Sequence, residues 1–195
     1  MVTQVPHDAV DKEAKAWVNS KIDNFIESRI IGAVEVISEK GANLIQNGDV
    51  IMTFSRSVSI EELFKKAHEL GKSFKVVVVE GRPDRTSRAM IERLSKIGIK
   101  CVFTLTQSAI YVIKDVTKVL LGATAFMTNG TLLDRVGTSI VACLANSYHK
   151  PVIVCCETYK FSDSVQFDSL SHNTLGNPDY LACSTIFTEV QVRSC

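Results

Sequence analysis

Apolar side chains recur at three- and four-residue steps from residue 10 to residue 46, through Val10, Ala14, Trp17, Val18, Ile22, Phe25, Ile26, Ile30, Ala33, Val34 and Ile37. The spacing predicts helix with a single apolar stripe that needs a domain or a partner to cover it. Gly32 and Gly41 interrupt the stripe, so two helices and one kinked helix are both compatible with it. From residue 49 the pattern alternates. Strand-like runs at 49–54, 74–80, 100–105, 119–127 and 151–156 are separated by helix-like stretches at 59–70, 85–97, 108–117 and 134–149.

The strand-like runs are β-branched throughout rather than alternately apolar and polar, the pattern of strands covered by helices on both faces. Parallel neighbours need long crossovers, and the intervening helices supply them. The expected fold class is therefore α/β: a doubly wound, mostly parallel sheet of five strands preceded by an N-terminal helical segment. The boundary falls near residue 47, giving a helical segment at 1–47 and an α/β domain at 48–195. Ser59 with Glu62, and Thr131 with Asp134, have the spacing of capping boxes and predict the starts of two helices. From about residue 162 the chain turns rich in Ser, Asp and Asn, with Gly176 and Pro178, and reads as an irregular surface excursion.

Composition removes several functional classes. With 46% hydrophobic and 22% charged residues the chain is of ordinary globular type. Lys plus Arg number 22 against 21 Asp plus Glu, a net charge of +1, so no overall positive field exists to hold nucleic acid or anionic lipid. The apolar runs are strand-sized, well short of the roughly 20 residues of a membrane-spanning helix. The N-terminus has neither a basic head with an apolar stretch nor an Arg-rich leader, which sets a cytoplasmic location as the expectation. Six cysteines in a chain with ample core read as reduced thiols rather than a disulfide framework. No Cys-x-x-Cys or paired-His spacing suggests a metal site.

In an open α/β sheet, ligands bind beyond the carboxyl ends of the strands. Those ends carry Thr53 to Ser57, Glu80 to Asp84, Thr104 to Gln107, Thr128 to Thr131 and Glu157 to Lys160. Hydroxyls, amides and Arg82 gather there, and helix N-termini facing the same edge offer free amide donors, a setting that suits an anion. The same residues also serve as ordinary caps and turns. Neither Gly-x-Gly-x-x-Gly nor Gly-x-x-x-x-Gly-Lys occurs, so nucleotide cofactors are disfavoured and no cofactor is expected. Ser55, Cys155 and Cys156 are candidate nucleophiles, but no strand-end His stands ready as base, and the two cysteines read as core residues. Glu157 and Lys160 read as a solvated ion pair.

At these strand ends the sequence resembles a known superfamily. The stretches Asp49-Val50-Ile51-Met52-Thr53, Val77 to Pro83, Asn129-Gly130 with Arg135-Val136-Gly137-Thr138, and Val154-Cys155-Cys156-Glu157-Thr158-Tyr159-Lys160-Phe161 carry the resemblance. They are similar to the group that joins methylthioribose-1-phosphate and ribose-1,5-bisphosphate isomerases to the regulatory subunits of eukaryotic translation initiation factor 2B. The last motif, together with Val165-Gln166, Asp168, Asn173 and Pro178-Asp179, is similar to the delta-subunit branch, and Val116 to Ala123 agrees. The likeness extends over roughly residues 22–182.

The resemblance implies a Rossmann-like domain within a regulatory subcomplex that senses the phosphorylated alpha subunit of initiation factor 2, while other subunits carry the exchange activity. Homologous alpha and beta subunits and the catalytic subunits are the implied partners, and self-association of the isolated chain is a further expectation. The isomerase relatives use a Cys after the first strand and an Asp directly after Asn-Gly, and the corresponding places here hold Ser55 and Thr131. Ser has no low-pKa thiolate and Thr no carboxylate, so no catalytic residue is expected. What remains is a vestigial ligand pocket of Ser55, Arg56, Arg82, Asn129, Gly130, Thr131, Asp134 and Arg135. A sugar-phosphate isomerase, or a relative that binds a sugar phosphate, is the alternative. For the partner surface the resemblance points to the helix after Arg82-Pro83, where Arg85, Arg88, Glu92 and Arg93 give a positive bias suited to a phosphoserine.

Overall fold

The structure, a computed structural model, describes residues 11–81 and 86–166. Arg82, Arg85 and most of the C-terminal excursion lie outside the described residues. A helical rod opens the chain, built from α1 (Asp11–Phe25), a π-helical stretch (Ile26–Ile31) and α2 (Gly32–Asn43). Only its C-terminal part is covered. Ile37 and Ala42 pack on the core, whereas Ile22, Phe25, Ile26 and Ile31 are exposed. Gly41 has no Cβ, and the Leu63 side chain occupies the place where one would stand, so α2 lies directly on the next helix. Lys72 closes the end of α2 by donating to the carbonyls of Ala42 and Ile45 at 2.7 and 2.6 Å.

Five parallel strands follow: β1 (Val50–Phe54), β2 (Lys75–Glu80), β3 (Lys100–Leu105), β4 (Lys118–Gly122) and, after a small hairpin described below, a fifth at Val152–Cys155. In space the order is β3-β2-β1-β4 and then that fifth strand, so the winding reverses between β1 and β4. Alternation of side chains along the strands divides the core into two layers. Ile51, Val76, Val78 and Leu120 pack with α3 (Val58–Glu69) and α4 (Ser87–Lys96). Met52, Phe54, Val77, Val79, Val119 and Leu121 pack with α5 (Ala109–Val112) and α6 (Thr138–Ser147). Asp49 ties the amino edge together, accepting from the Gln46 amide at 2.7 Å and the Thr117 hydroxyl at 2.8 Å while pairing with Lys118 at 2.8 Å.

Several local expectations are corrected. The run 119–127 is not one strand: the chain leaves the sheet at Gly122 and begins a second, three-stranded sheet made of β5 (Ala125–Met127), β6 (Leu132–Leu133) and β8 (Phe161–Ser162), the fifth strand of the main sheet being β7. The stretch 108–117 forms only the single turn of α5, flanked by 3-10 turns at Thr106–Ser108 and Ile113–Asp115. Neither capping box forms. Ser59 lies inside α3 and turns its hydroxyl to Glu157, and α6 begins at Thr138 behind Gly137, not near Asp134. Gly137 is required there. Its φ is +107°, and a Cβ would run into the Phe54 ring. No described helix is long and apolar enough to cross a membrane.

Candidate functional site

The reversal between β1 and β4 opens a cleft of about 360 Å³ at the carboxyl edge of the sheet. Its floor is the passage from the end of β1 into α3, Phe54 to Val58, and the chain leaving β4, Gly122 to Thr124. Asp134 and Arg135 border it ahead of α6, Glu157, Tyr159 and Lys160 border it after β7, and Ile30 and Val34 of the helical rod close one side.

Ser55 is the buried centre of this edge. Its φ of +52° places a non-glycine residue in the left-handed region, and its amide extends the sheet by donating to Val79 at 2.8 Å. The hydroxyl oxygen accepts from the Arg135 guanidinium at 2.7 Å and lies 3.4 Å from the Thr86 hydroxyl. A guanidinium donor occupies an oxygen lone pair and removes no proton, so this contact orients the hydroxyl rather than activating it. Asp134 accepts from Thr124 at 3.2 Å and from Thr138 at 2.8 Å, bracing the approach to α6.

The far wall is ionic. Glu157 is buried and accepts from the Ser59 hydroxyl, and its other oxygen stands 2.6 Å from Lys160. Burial pushes the Glu157 carboxyl up, but hydrogen bonds from Lys160 and Ser59 outweigh it and hold the group below its ordinary value. The expected solvated pair is thus half-buried: Glu157 is enclosed while Lys160 keeps partial contact with solvent at the cleft. Beside it, burial, with help from the Glu157 charge, pushes the Cys155 thiol up to about 11. Cys155 belongs to the α3/α4 layer of the core and stays protonated near neutral pH.

The residues expected to form a pocket separate in space. Ser55, Arg56, Asp134 and Arg135 line the cleft, whereas Asn129, Gly130 and Thr131 form the turn between β5 and β6. There the Asn129 side chain accepts from the Thr131 amide at 3.1 Å and donates to the Gln166 carbonyl at 3.2 Å, and Gly130 adopts φ +81°. Arg56 is half-exposed and reaches Glu61 at 3.5 Å. Sequence reasoning missed Ile30, Val34 and Ser59 as parts of the site. The apolar stripe marked the first two as packing residues, and only the fold brings them to the strand ends.

On α4, Arg88 is exposed with its guanidinium 6.0 Å from the Phe103 ring centre, and Glu92 is exposed. Arg93 is committed elsewhere: it grips the buried Glu61 carboxylate with two donors, one at 2.8 Å, and Lys65 adds a contact at 3.4 Å. Burial raises the Glu61 pKa, but Arg93 and Lys65 prevail and keep it below the ordinary value. Among the described residues no group of three His, Cys, Asp or Glu side chains is placed to hold a metal.

These features define a doubly wound α/β domain with a polar cleft at its switch point and a helical rod across one side. Residues 2–193 match the Initiation factor 2 subunit family, and the chain belongs to it. It is 40% identical over 174 residues to translation initiation factor eIF2B subunit delta of Schizosaccharomyces pombe, covering 89% of this chain and 37% of that protein. A ribose 1,5-bisphosphate isomerase of Methanocaldococcus jannaschii is 34% identical over 151 residues, covering 77% of this chain and 49% of the isomerase. The fold matches the crystal structure of the tetrameric eIF2B-beta2-delta2 complex from Chaetomium thermophilum with a TM-score of 0.78 and 30% identity, covering 85% of this chain and 54% of that one. The chain spans well under half the length of the curated delta subunit it resembles.

Proposed function

We propose that the chain works as a delta-type regulatory subunit of the cytoplasmic guanine-nucleotide exchange factor for initiation factor 2, acting through protein contacts and without catalytic turnover of its own. Its partners are homologous alpha and beta regulatory subunits, the catalytic subunits, and the alpha subunit of initiation factor 2 in its phosphorylated form. The observation that carries this reading is the state of the switch-point cleft. Where the isomerase relatives resemble this chain, the nucleophile position is a serine whose hydroxyl is held by Arg135, and Thr131 in place of the acid sits in the β5–β6 turn beside Asn129. Identity to a delta subunit over 89% of the chain supports the same assignment.

The helix after Arg82-Pro83 is the proposed sensing surface, with Arg85, Arg88, Glu92 and Arg93 on or before α4. Arg88 is the exposed described cation of that group, while Arg93 helps hold the helix to α3 through Glu61. Binding of the phosphorylated and unphosphorylated alpha subunit to the assembled factor tests this directly. Preference for the phosphorylated form, weakened by Arg85→Glu with Arg88→Glu, is expected. Equal affinity of the double variant would place sensing elsewhere.

Sugar-phosphate isomerisation is the competing reading, favoured by the cations around the cleft and by the archaeal isomerase match. Incubation with ribose 1,5-bisphosphate separates the two: no product above a Ser55→Ala, Thr131→Ala control is expected, and measurable turnover would favour an enzyme.

A further inference from the structure

The chain contains two Asn-Gly pairs, Asn47-Gly48 and Asn129-Gly130, and both asparagines stand exposed in turns. In such a pair the glycine nitrogen lies beside the asparagine carboxamide with no side chain in its way, which opens the carboxamide to attack from within the chain. The fold treats the two pairs differently. At the first, the Gly48 amide donates to the Ser73 carbonyl at 2.7 Å and the Asn47 Oδ1 accepts from the Ser73 amide at 2.8 Å. The Lys75 amide donates to the Asp49 carbonyl at 2.8 Å just beyond, so this turn is clamped to the starts of β1 and β2. Freeing the Gly48 nitrogen means opening the amino edge of the main sheet. At the second pair the ties are local. The Gly130 amide donates to the Met127 carbonyl at 3.0 Å, and the Asn129 Oδ1 accepts from the Thr131 amide at 3.1 Å. The turn closes a hairpin in which β5 and β6 pair only through Ala125 with Leu133 and Phe126 with Leu132, an element that opens locally at small cost. Gly130 has a φ of +81° with nothing within 4 Å of the place where a Cβ would stand, so water reaches the pair freely. Two contacts reach further: the Asn129 Nδ2 donates to the Gln166 carbonyl at 3.2 Å and the Thr128 hydroxyl to the Ser164 carbonyl at 3.3 Å.

We propose that Asn129 is a site of spontaneous deamidation that loosens the hold of the β5–β6 hairpin on residues 164–166, while the fold protects Asn47. The step needs only water. When the turn opens, the Gly130 nitrogen gives its proton to solvent and attacks the Asn129 Cγ; a C–N bond forms, a cyclic imide closes, and Nδ2 leaves as ammonia. The Thr131 amide already donates to Oδ1, the oxygen that gains negative charge as the attack proceeds. Water then opens the imide. Breaking the bond between Cγ and the Gly130 nitrogen leaves aspartate, and breaking the bond between the Asn129 backbone carbonyl carbon and that nitrogen leaves isoaspartate. In sum one water is consumed and one ammonia released, with no change of oxidation state. Either product puts a carboxylate oxygen where Nδ2 stood. The Gln166 carbonyl then faces an acceptor in place of a donor, and a contact that held the segment repels it. Isoaspartate also adds a methylene to the backbone of the turn.

The test is incubation of the full chain, folded and in urea, at physiological temperature and mildly alkaline pH, with conversion at both asparagines followed by peptide mapping and mass spectrometry. The rates in urea, where both turns are lost, are the reference. Conversion at Asn129 should be seen in the folded chain, and folding should slow Asn47 at least about tenfold more than Asn129, because the two turns differ in the cost of opening. No conversion at Asn129 in the folded chain, or a smaller difference between the two sites, overturns the proposal. The consequence is read on Asn129→Asp by hydrogen–deuterium exchange. Amides of residues 161–166 should exchange faster than in the wild type, with those of β1 and β2 unchanged. Exchange at 161–166 equal to that of the wild type overturns the release. Both measurements use the chain alone, so neither result bears on the regulatory-subunit reading.

Discussion

The layer of α3 and α4 and the layer of α5 and α6 enclose the same sheet with similar aliphatic cores, yet only the first carries charged side chains along its helices. In the α3/α4 layer charged side chains stand among exposed Val58, Leu70 and Ile97, and the buried carboxylate of Glu61 gathers Arg93, Lys65 and Arg56 around it, so that the helices are joined by charge as well as by packing. In the α5/α6 layer Ala109, Ile113, Val141 and Ala145 fill the core, and apolar side chains continue onto the outer surface. Packing density cannot explain this difference, because both inner faces are buried. It follows from the helix sequences, which are charged along α3 and α4 and free of charge along α5 and α6.

The largest expected contrast is between truncations inside and outside the two layers. Phe64→Ala removes a fully buried ring from beneath α3 and should cost about 3–5 kcal/mol in urea unfolding. Tyr111→Ala, on the outer face of α5, should change the stability of the isolated chain by about 0.5 kcal/mol or less. A large loss at Tyr111 would mean that this face is already covered within the chain. Gly137→Ala comes next. It forces a Cβ into a left-handed position against Phe54 and should destabilise by about 1–3 kcal/mol, measured by thermal unfolding.

Glu61→Gln should cost about 1–3 kcal/mol at neutral pH, because charge-assisted hydrogen bonds become neutral ones. The pH dependence sharpens the comparison. The folded protein holds the Glu61 carboxyl below its ordinary value of 4.5, so its stabilising contribution is complete above about pH 4.5 and is lost as the pH falls through the lower folded value. The gap between wild type and Glu61→Gln should therefore narrow in acid. The smallest effect belongs to the opposite layer, where Ile140→Ser should leave stability unchanged within about 0.5 kcal/mol at every pH.

The sequence made the main sheet legible because its strands are β-branched runs, and a strand covered on both faces needs no polar alternation to be recognised. The break at Gly122 was not legible, since Val119 to Met127 is apolar but for Gly122 and Thr124 while the chain passes from one sheet to another. Local spacing misled at both capping boxes. Ser59 has the right neighbour three positions along the chain for a cap, but a buried carboxylate 98 residues away takes its hydroxyl. The Glu157–Lys160 pair was visible as residues, and only tertiary packing decides that its carboxylate is buried. The absence of charge along α5 and α6 is legible in the sequence, and only the fold puts both helices on one side of the sheet.

Hydrogen–deuterium exchange of the full chain with and without the beta subunit tests the regulatory-subunit reading most directly. That reading predicts a set of amides whose exchange slows on adding the beta subunit. Exchange unchanged at every amide would contradict it.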